Sequence, residues 1–243
     1  MSCATPFVGL LAVMVAPPSV DPLDFDVPGG HFYSQANGFN GAGATGFAVT
    51  DDDAAAFWSE FQRLGGVPRL GYPISTRFQY GGLITQAFQF AALQWRPDLG
   101  QAVTVAILDD LAQAGSDGWL ERTRQVPPAS AASQNGGLLD AYPALADFVQ
   151  ADPDPLDDFG APVAVKDYGS VVGVRLQRAA LQLWTVDEPW ASAGTVTVAN
   201  AGELAREAGL WPISALAPGV PLTIASSVPT STSTAPQPET AAP

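Results

Sequence analysis

The 243-residue sequence contains one cysteine (Cys3), one histidine (His31) and one lysine (Lys166). A single cysteine excludes a disulfide framework and a thiolate metal cluster. A single histidine leaves any zinc site to be completed by carboxylates, and no metal-ligand spacing accompanies it. A Ser-His-Asp triad would have to be built on His31, yet no G-x-S-x-G turn is present, and no G-x-x-x-x-G-K-[ST] segment offers to cradle a phosphate. No cofactor and no metal is expected.

Charge is also scarce and one-sided. Only 14% of residues are charged, with 24 acids against 10 bases and a net charge of −14. Such a surface repels phosphate backbones and anionic head groups, so nucleic acid is not an expected partner. No apolar run reaches the ~20 residues that span a bilayer. The longest, Phe7 to Ala16, is ended by Pro17-Pro18 and has the length of a signal-peptide core, although no Lys or Arg precedes it. It reads as a signal peptide or as an apolar arm on the domain, and membrane contact is expected through this segment at most.

What the chain does have is a repeat. LGGVPRLGYPISTRFQYGGLITQAFQFAALQW, from Leu64 to Trp95, returns in weaker form as FGAPVAVKDYGSVVGVRLQRAALQLW. Gly71-Tyr72-Pro73 meets Gly160-Ala161-Pro162, and Tyr80-Gly81 meets Tyr168-Gly169. Gln89 with Ala91–Gln94 meets Gln177 with Ala179–Gln182. The shared positions are mostly glycine, proline, glutamine and apolar residues, which marks a unit kept for its backbone plan.

The periodicity predicts the elements of each unit. Phe57, Trp58, Phe61 and Leu64 form the stripe of a helix led by Asp51-Asp52-Asp53 and stopped by Gly65-Gly66. Three adjacent acids invite a calcium reading, but the helix dipole accounts for acids at a helix start. A tight Gly-Pro connector follows. Strands Ile74–Gln79 and Leu83–Phe90 flank a Gly81-Gly82 turn, and after a slip at Ala91-Ala92 a short strand ends at Trp95. Gln101 to Leu108 reads as a strand with Val103, Val105 and Ile107 inward, followed by a helix over Asp109–Ala114. A helical turn is expected over Gly118–Arg124.

The second unit is expected to repeat the order. It has a helix over Pro143–Ala151, an acidic solvent-facing loop from Asp152 to Asp158, and a strand alternating Val172, Val174 and Leu176 against Gly173, Arg175 and Gln177. Val196-Thr197-Val198 is matched to Val103-Thr104-Val105, and a helix over Ala201–Ala208 closes the unit. Ser19–Asn37 and the glycine-rich Asn37–Gly46 read as loop.

The expected fold is α+β: two tandem repeats of helix, Gly-Pro connector, short antiparallel strands and short helix, packed as one compact domain. The divisions are an N-terminal segment over 1–28, a first unit over 29–125, a linker over 126–137, a second unit over 138–216, and a disordered Pro/Ser/Thr/Ala tail over 217–243.

FWSEFQRLGG, LGYPIS, a GG turn, QAFQFAALQW, RPDLG and VTVAIL, in that order, resemble the LGFP-type repeats of secreted bacterial envelope proteins. The resemblance covers about Phe57 to Leu111 and, in degenerate form, about Leu145 to Gly209. It implies a non-catalytic, exported module that associates with the cell wall, at an extracellular or envelope location. The copies are not expected to be equivalent binding surfaces, because Ala161 stands in place of Tyr72 and Arg178 in place of Phe90.

The side chains best suited to a sugar or peptide are Tyr72, Tyr80, Gln86, Gln89, Gln94, Trp95 and Arg96, expected on adjacent edges of the first unit's sheet. Aromatic faces stack on carbohydrate C–H surfaces, and amides serve hydroxyls and N-acetyl groups. The same residues could instead buttress the connector, fill the core or bond the backbone. The expected partner is a wall glycan bound through the first repeat, or alternatively an envelope protein held by a structural scaffold. A carboxylate-dependent hydrolase would need two acids facing one cleft.

Overall fold

A computed structural model of the chain describes residues 24–34, 45–131 and 137–219. The apolar run over 7–16 and the tail beyond Gly219 lie outside the described residues. The fold is mixed α+β, with three antiparallel sheets among the described residues.

The first sheet corrects the reading of the N-terminal region as loop. Strands β1 (Phe25–Val27), β2 (Gly30–Tyr33) and β3 (Phe47–Thr50) pair in that order. Pro28-Gly29 turns the first hairpin, with Gly29 at φ 74°, where glycine is favoured. Phe32, Phe47 and Val49 are buried. The sequence disguised these strands because glycine and proline crowd their ends. Gly46 exchanges two backbone hydrogen bonds of 2.9 Å with Gly219, so the chain remains packed past Ala217, where the tail was expected to detach.

Helix α1 (Phe57–Arg63) presents Phe57 and Phe61 to the core, as its stripe predicts. It starts later than the acids suggest. Asp52 instead accepts from the N–H groups of Ala54 and Ala55, and Asp51 reaches along the chain to accept from Ser59 N–H at 3.0 Å. The connector opens with a short helix, α2 (Gly66–Leu70), which tolerates Pro68 in its first turn.

A four-stranded meander follows in the order β4 (Phe78–Tyr80), β5 (Leu83–Ala87), β6 (Ala92–Arg96), β7 (Gln101–Thr104). Gly81 and Gly82, at φ 58° and 82°, make the two-residue turn between β4 and β5. The slip at Ala91-Ala92 is a tight turn in which Phe88 N–H donates to Ala91 C=O at 2.8 Å. β7 is shorter than expected. A reversal at Ala106 (φ −77°, ψ 64°), closed by Ile107 N–H on Val105 C=O, sends the chain into α3 (Ile107–Gln113), so Ile107 is buried from a helix.

The start of the expected linker is packed against the fold. After α4 (Asp117–Arg124), Val126 and Pro127 are buried and Pro127 C=O accepts from Arg175. Helix α5 (Pro143–Gln150) comes next, then a short helix, α6 (Pro155–Asp158), within the stretch expected to be loop.

The second meander runs β8 (Pro162–Asp167), β9 (Val171–Leu176), β10 (Ala180–Trp184), β11 (Val196–Val198), and α7 (Ala201–Glu207) closes it. β9 corrects the expected alternation of buried and exposed residues: all six residues are buried. Its second face is covered by the segment after α4. A Cβ on Gly173 would lie 2.1 Å from Gln125 O, and Arg175 is fully enclosed.

Leu93 pairs with Thr104 but Leu181 pairs with Val198, so the two VTV triplets are offset by one residue. A one-residue offset puts each side chain on the opposite face. One apolar cluster draws on both halves, joining Ile74, Ala87, Ile107 and Leu111 to Ala201, Leu204, Ala205 and Trp211.

Candidate functional site

The seven sugar-type side chains of the first unit do not share a surface. Side chains alternate across a strand, and both faces of this sheet are covered. Ile84, Leu93 and Trp95 pack with Phe57 and Phe61 on one face, while Phe78, Tyr80, Ala87 and Ala92 pack with α3 and α7 on the other. Gln86 is fully buried, its Nε2 donating to Ala48 and Ser75 carbonyls at 2.9 and 3.0 Å. Gln94 Nε2 donates to Tyr80 C=O at 2.8 Å.

Tyr80 donates its hydroxyl to Asp110 at 2.8 Å and meets Trp211 edge to face. Burial, followed by that hydrogen bond, raises its pKa above the ordinary phenol value. Trp95 is half-buried against Phe57, and Tyr72 meets Tyr33 edge to face. Arg96 lies in solvent, closed on Asp98 by two hydrogen bonds of 2.9 and 2.7 Å.

Gln89 has a defined structural task. Its Oε1 accepts from Tyr72 N–H at 3.0 Å, and Gln177 Oε1 accepts from Ala161 N–H at the same distance. Around each glutamine the backbone bonds also recur. Gln89 N–H donates to Tyr72 C=O and Gln177 N–H to Ala161 C=O, while Phe90 N–H donates to Leu70 C=O and Arg178 N–H to Phe159 C=O.

His31 is a packing residue within the described region, with Nδ1 2.7 Å from Asp26 and its ring stacked on Trp58. Asp152 and Asp158 correct the expectation of a solvent-facing acidic loop. Both carboxylates reach Nη2 of Arg69, Asp152 at 2.5 Å, and the Asp152 side chain is only 4% exposed. Burial first, and then the neighbouring Asp152, hold the Asp158 carboxyl above the ordinary aspartate range, although Arg69 pulls the other way.

This ion cluster sits between two grooves. One, of about 560 Å³, is walled by Leu64, Leu99 and the Gln101–Thr104 strand of the first unit, and by Asp154, Asp158 and Arg178 of the second. The other, of about 510 Å³, is walled by Val196–Val198, Phe148 and Phe159 of the second unit and by Pro68 and Phe90 of the first. Each groove thus combines one unit's outer strand with the other unit's connector and turn. Arg69 lines both.

Arg178 and Phe90, matched in the alignment, fall in opposite grooves and make one polar and the other aromatic. Among the described residues, no group of three or more His, Cys, Asp or Glu side chains is arranged to hold a metal ion. No helix there is long and apolar enough to cross a membrane.

The seven candidates all belong to the first unit, whereas the grooves form where the two units meet. The available signal lay where they differ: Arg69 against Asp158, Leu70 against Phe159, Phe90 against Arg178. No protein-family model matches the chain, and no curated protein is significantly similar to it.

Proposed function

We propose that this chain is a non-catalytic, exported module of the bacterial cell envelope, descended by duplication of one unit, that binds a wall glycan along the seam between its units. The observation that carries the reading is the pair of adjoining grooves, one mixed in polarity and one walled by Phe90, Phe148 and Phe159. Sugars are amphipathic in this way, offering C–H faces to rings and hydroxyls to charged and amide groups. The net charge of −14 favours an uncharged or amino-sugar polymer over a phosphate-bearing one. The signal-like run over 7–16 and the resemblance to envelope repeats support export.

Catalysis is the weaker reading. Glycoside hydrolysis needs two carboxyl groups at least about 5 Å apart with the sugar between them. Asp152 and Asp158 instead close on a single guanidinium nitrogen, which occupies the space a sugar would need.

The test is retention of the full chain on purified cell walls. Leu99 and Gln101 are exposed on the groove rim, so Leu99→Ala with Gln101→Ala should leave the fold intact and abolish most retention. Equal retention by this variant would remove the seam as the site.

A further inference from the structure

The second meander departs from the first at one connection. β6 and β7 are joined by the four residues Pro97–Gly100, whereas β10 and β11 are joined by the eleven residues Thr185–Thr195. A longer surface connection costs little in closure entropy and is where binding groups concentrate.

This loop is built rather than slack. At its base Trp184 N–H donates to Thr195 C=O at 3.0 Å and Gly194 N–H to Trp184 C=O at 2.7 Å. Asp187 Oδ1 accepts from Ala193 N–H at 2.9 Å. Thr185 is tied to the β8–β9 turn, donating its hydroxyl to Gly169 C=O at 2.6 Å. At the tip Glu188 and Ala191 exchange two backbone hydrogen bonds, leaving Pro189-Trp190 as a two-residue turn.

Trp190 therefore stands at the apex of a braced turn and is 67% exposed. Its only ring contact among the described residues is with Trp184, 5.7 Å away at 78°. A T-shaped contact occupies at most one face, so the other indole face is open to solvent. Trp184 is itself anchored by its Nε1–H donating to Thr197 Oγ1 at 3.0 Å.

We propose that Trp190 is a stacking platform for the apolar face of a pyranose ring in a neutral or amino-sugar glycan. This rests on the wall-glycan reading above and adds a contact on the second unit, where that reading places only one wall of each groove. Burial would favour hiding so large an apolar side chain, and here the loop does the reverse. A protein partner would be met by a broader apolar patch, whereas the only other large apolar side chain exposed on this loop is Val186. Asp187 and Glu188 in the same loop oppose a phosphate-rich polymer or an anionic membrane, while the exposed indole suits the apolar face of a sugar.

The experiment compares the full wild-type chain with W190A and W190F. Retention on purified peptidoglycan sacculi and titration with a soluble β-1,4-linked N-acetylglucosamine oligomer are measured, with far-UV circular dichroism as the control for folding. W190A is expected to keep its spectrum and bind roughly tenfold more weakly, W190F to fall between, and tryptophan emission of the wild type to shift on titration. Wild-type binding that W190A matches overturns the platform and leaves the seam reading standing. Trp190-dependent binding to phosphatidylcholine vesicles, or Trp190-dependent dimerisation, without Trp190-dependent sugar binding also overturns it. A wild-type chain retained by neither ligand sinks the wall-glycan reading and the platform with it.

Discussion

Arg69 and Asp158 hold the same place in the two units, two residues ahead of Gly71 and Gly160, and they bond to each other across the seam. Matched in the sequence but opposite in charge, the two side chains form an ion pair. Asp152 joins from beneath as the most buried member. The resulting cluster has two carboxylates for one guanidinium, which leaves a carboxyl that keeps its proton more readily than free aspartic acid.

That imbalance sets a pH dependence. The Asp158 carboxyl is raised chiefly by burial and further by Asp152, so between its unfolded and folded values the native state binds more protons than the unfolded chain. Stability from this group is complete below the unfolded value, falls as pH rises through the folded one, and then levels off. Asp52, lowered chiefly by its hydrogen bond to Arg77, contributes with the opposite sign. Urea midpoints of wild type and D158N across the acidic range should therefore differ in slope, with the variant lacking the decline that Asp158 imposes. Parallel profiles would show that this carboxyl is not perturbed.

The second prediction concerns the clamp repeated in both units. Gly71 has φ 76°, and a Cβ there would lie 2.6 Å from Gln89 Cβ; Gly160 has φ 74° and would meet Gln177 Cβ at the same distance. An alanine must bear a left-handed backbone, at about 1–3 kcal/mol, and displace a glutamine side chain at its root. G71A and G160A should each lower the unfolding free energy by at least that amount. Q89A should cost about 1–3 kcal/mol by stranding the part-buried amide N–H of Tyr72, and Q177A less, because the Ala161 N–H is open to water. Near-equal losses in G71A and G160A, read from denaturant titrations, are the expected signature of one device used twice.

Much of this was legible in the chain itself. The Gly-Gly turn at 81–82, the Phe57/Phe61 stripe and the Gln89/Gln177 correspondence follow from local chemistry, because turns and periodic faces are specified by neighbouring residues. The one-residue offset between the VTV triplets was not legible, since it depends on strand pairing, and an identical tripeptide concealed it. Nor was the face of β9. Arg175 reads as an exposed partner of Gly173, and only the packing of residues 125–127 across that face encloses it. The candidate sugar residues of the first unit share a short stretch of sequence, yet the two-residue period of the strands divides them between opposite faces.

Arg175 supplies the sharpest test of that packing. It is fully buried, donates to Asp117 at 2.8 Å and to Pro127 C=O at 3.3 Å, and bonds Leu108 C=O. One guanidinium thereby ties the second unit's sheet to α3, α4 and the segment following α4. Removing it takes a charged partner from Asp117 and a donor from two carbonyls and opens a void. R175A should cost about 3–5 kcal/mol, as loss of one partner from a buried ion pair does. R175M, which refills the void but supplies no donors, should recover part of the loss. Because the tie joins the two halves, R175A should also speed amide exchange in both 107–127 and 171–184, measured by hydrogen–deuterium exchange. Protection lost from the second unit alone would mean that the halves are held together elsewhere, at the Arg69 cluster and the core around Trp211.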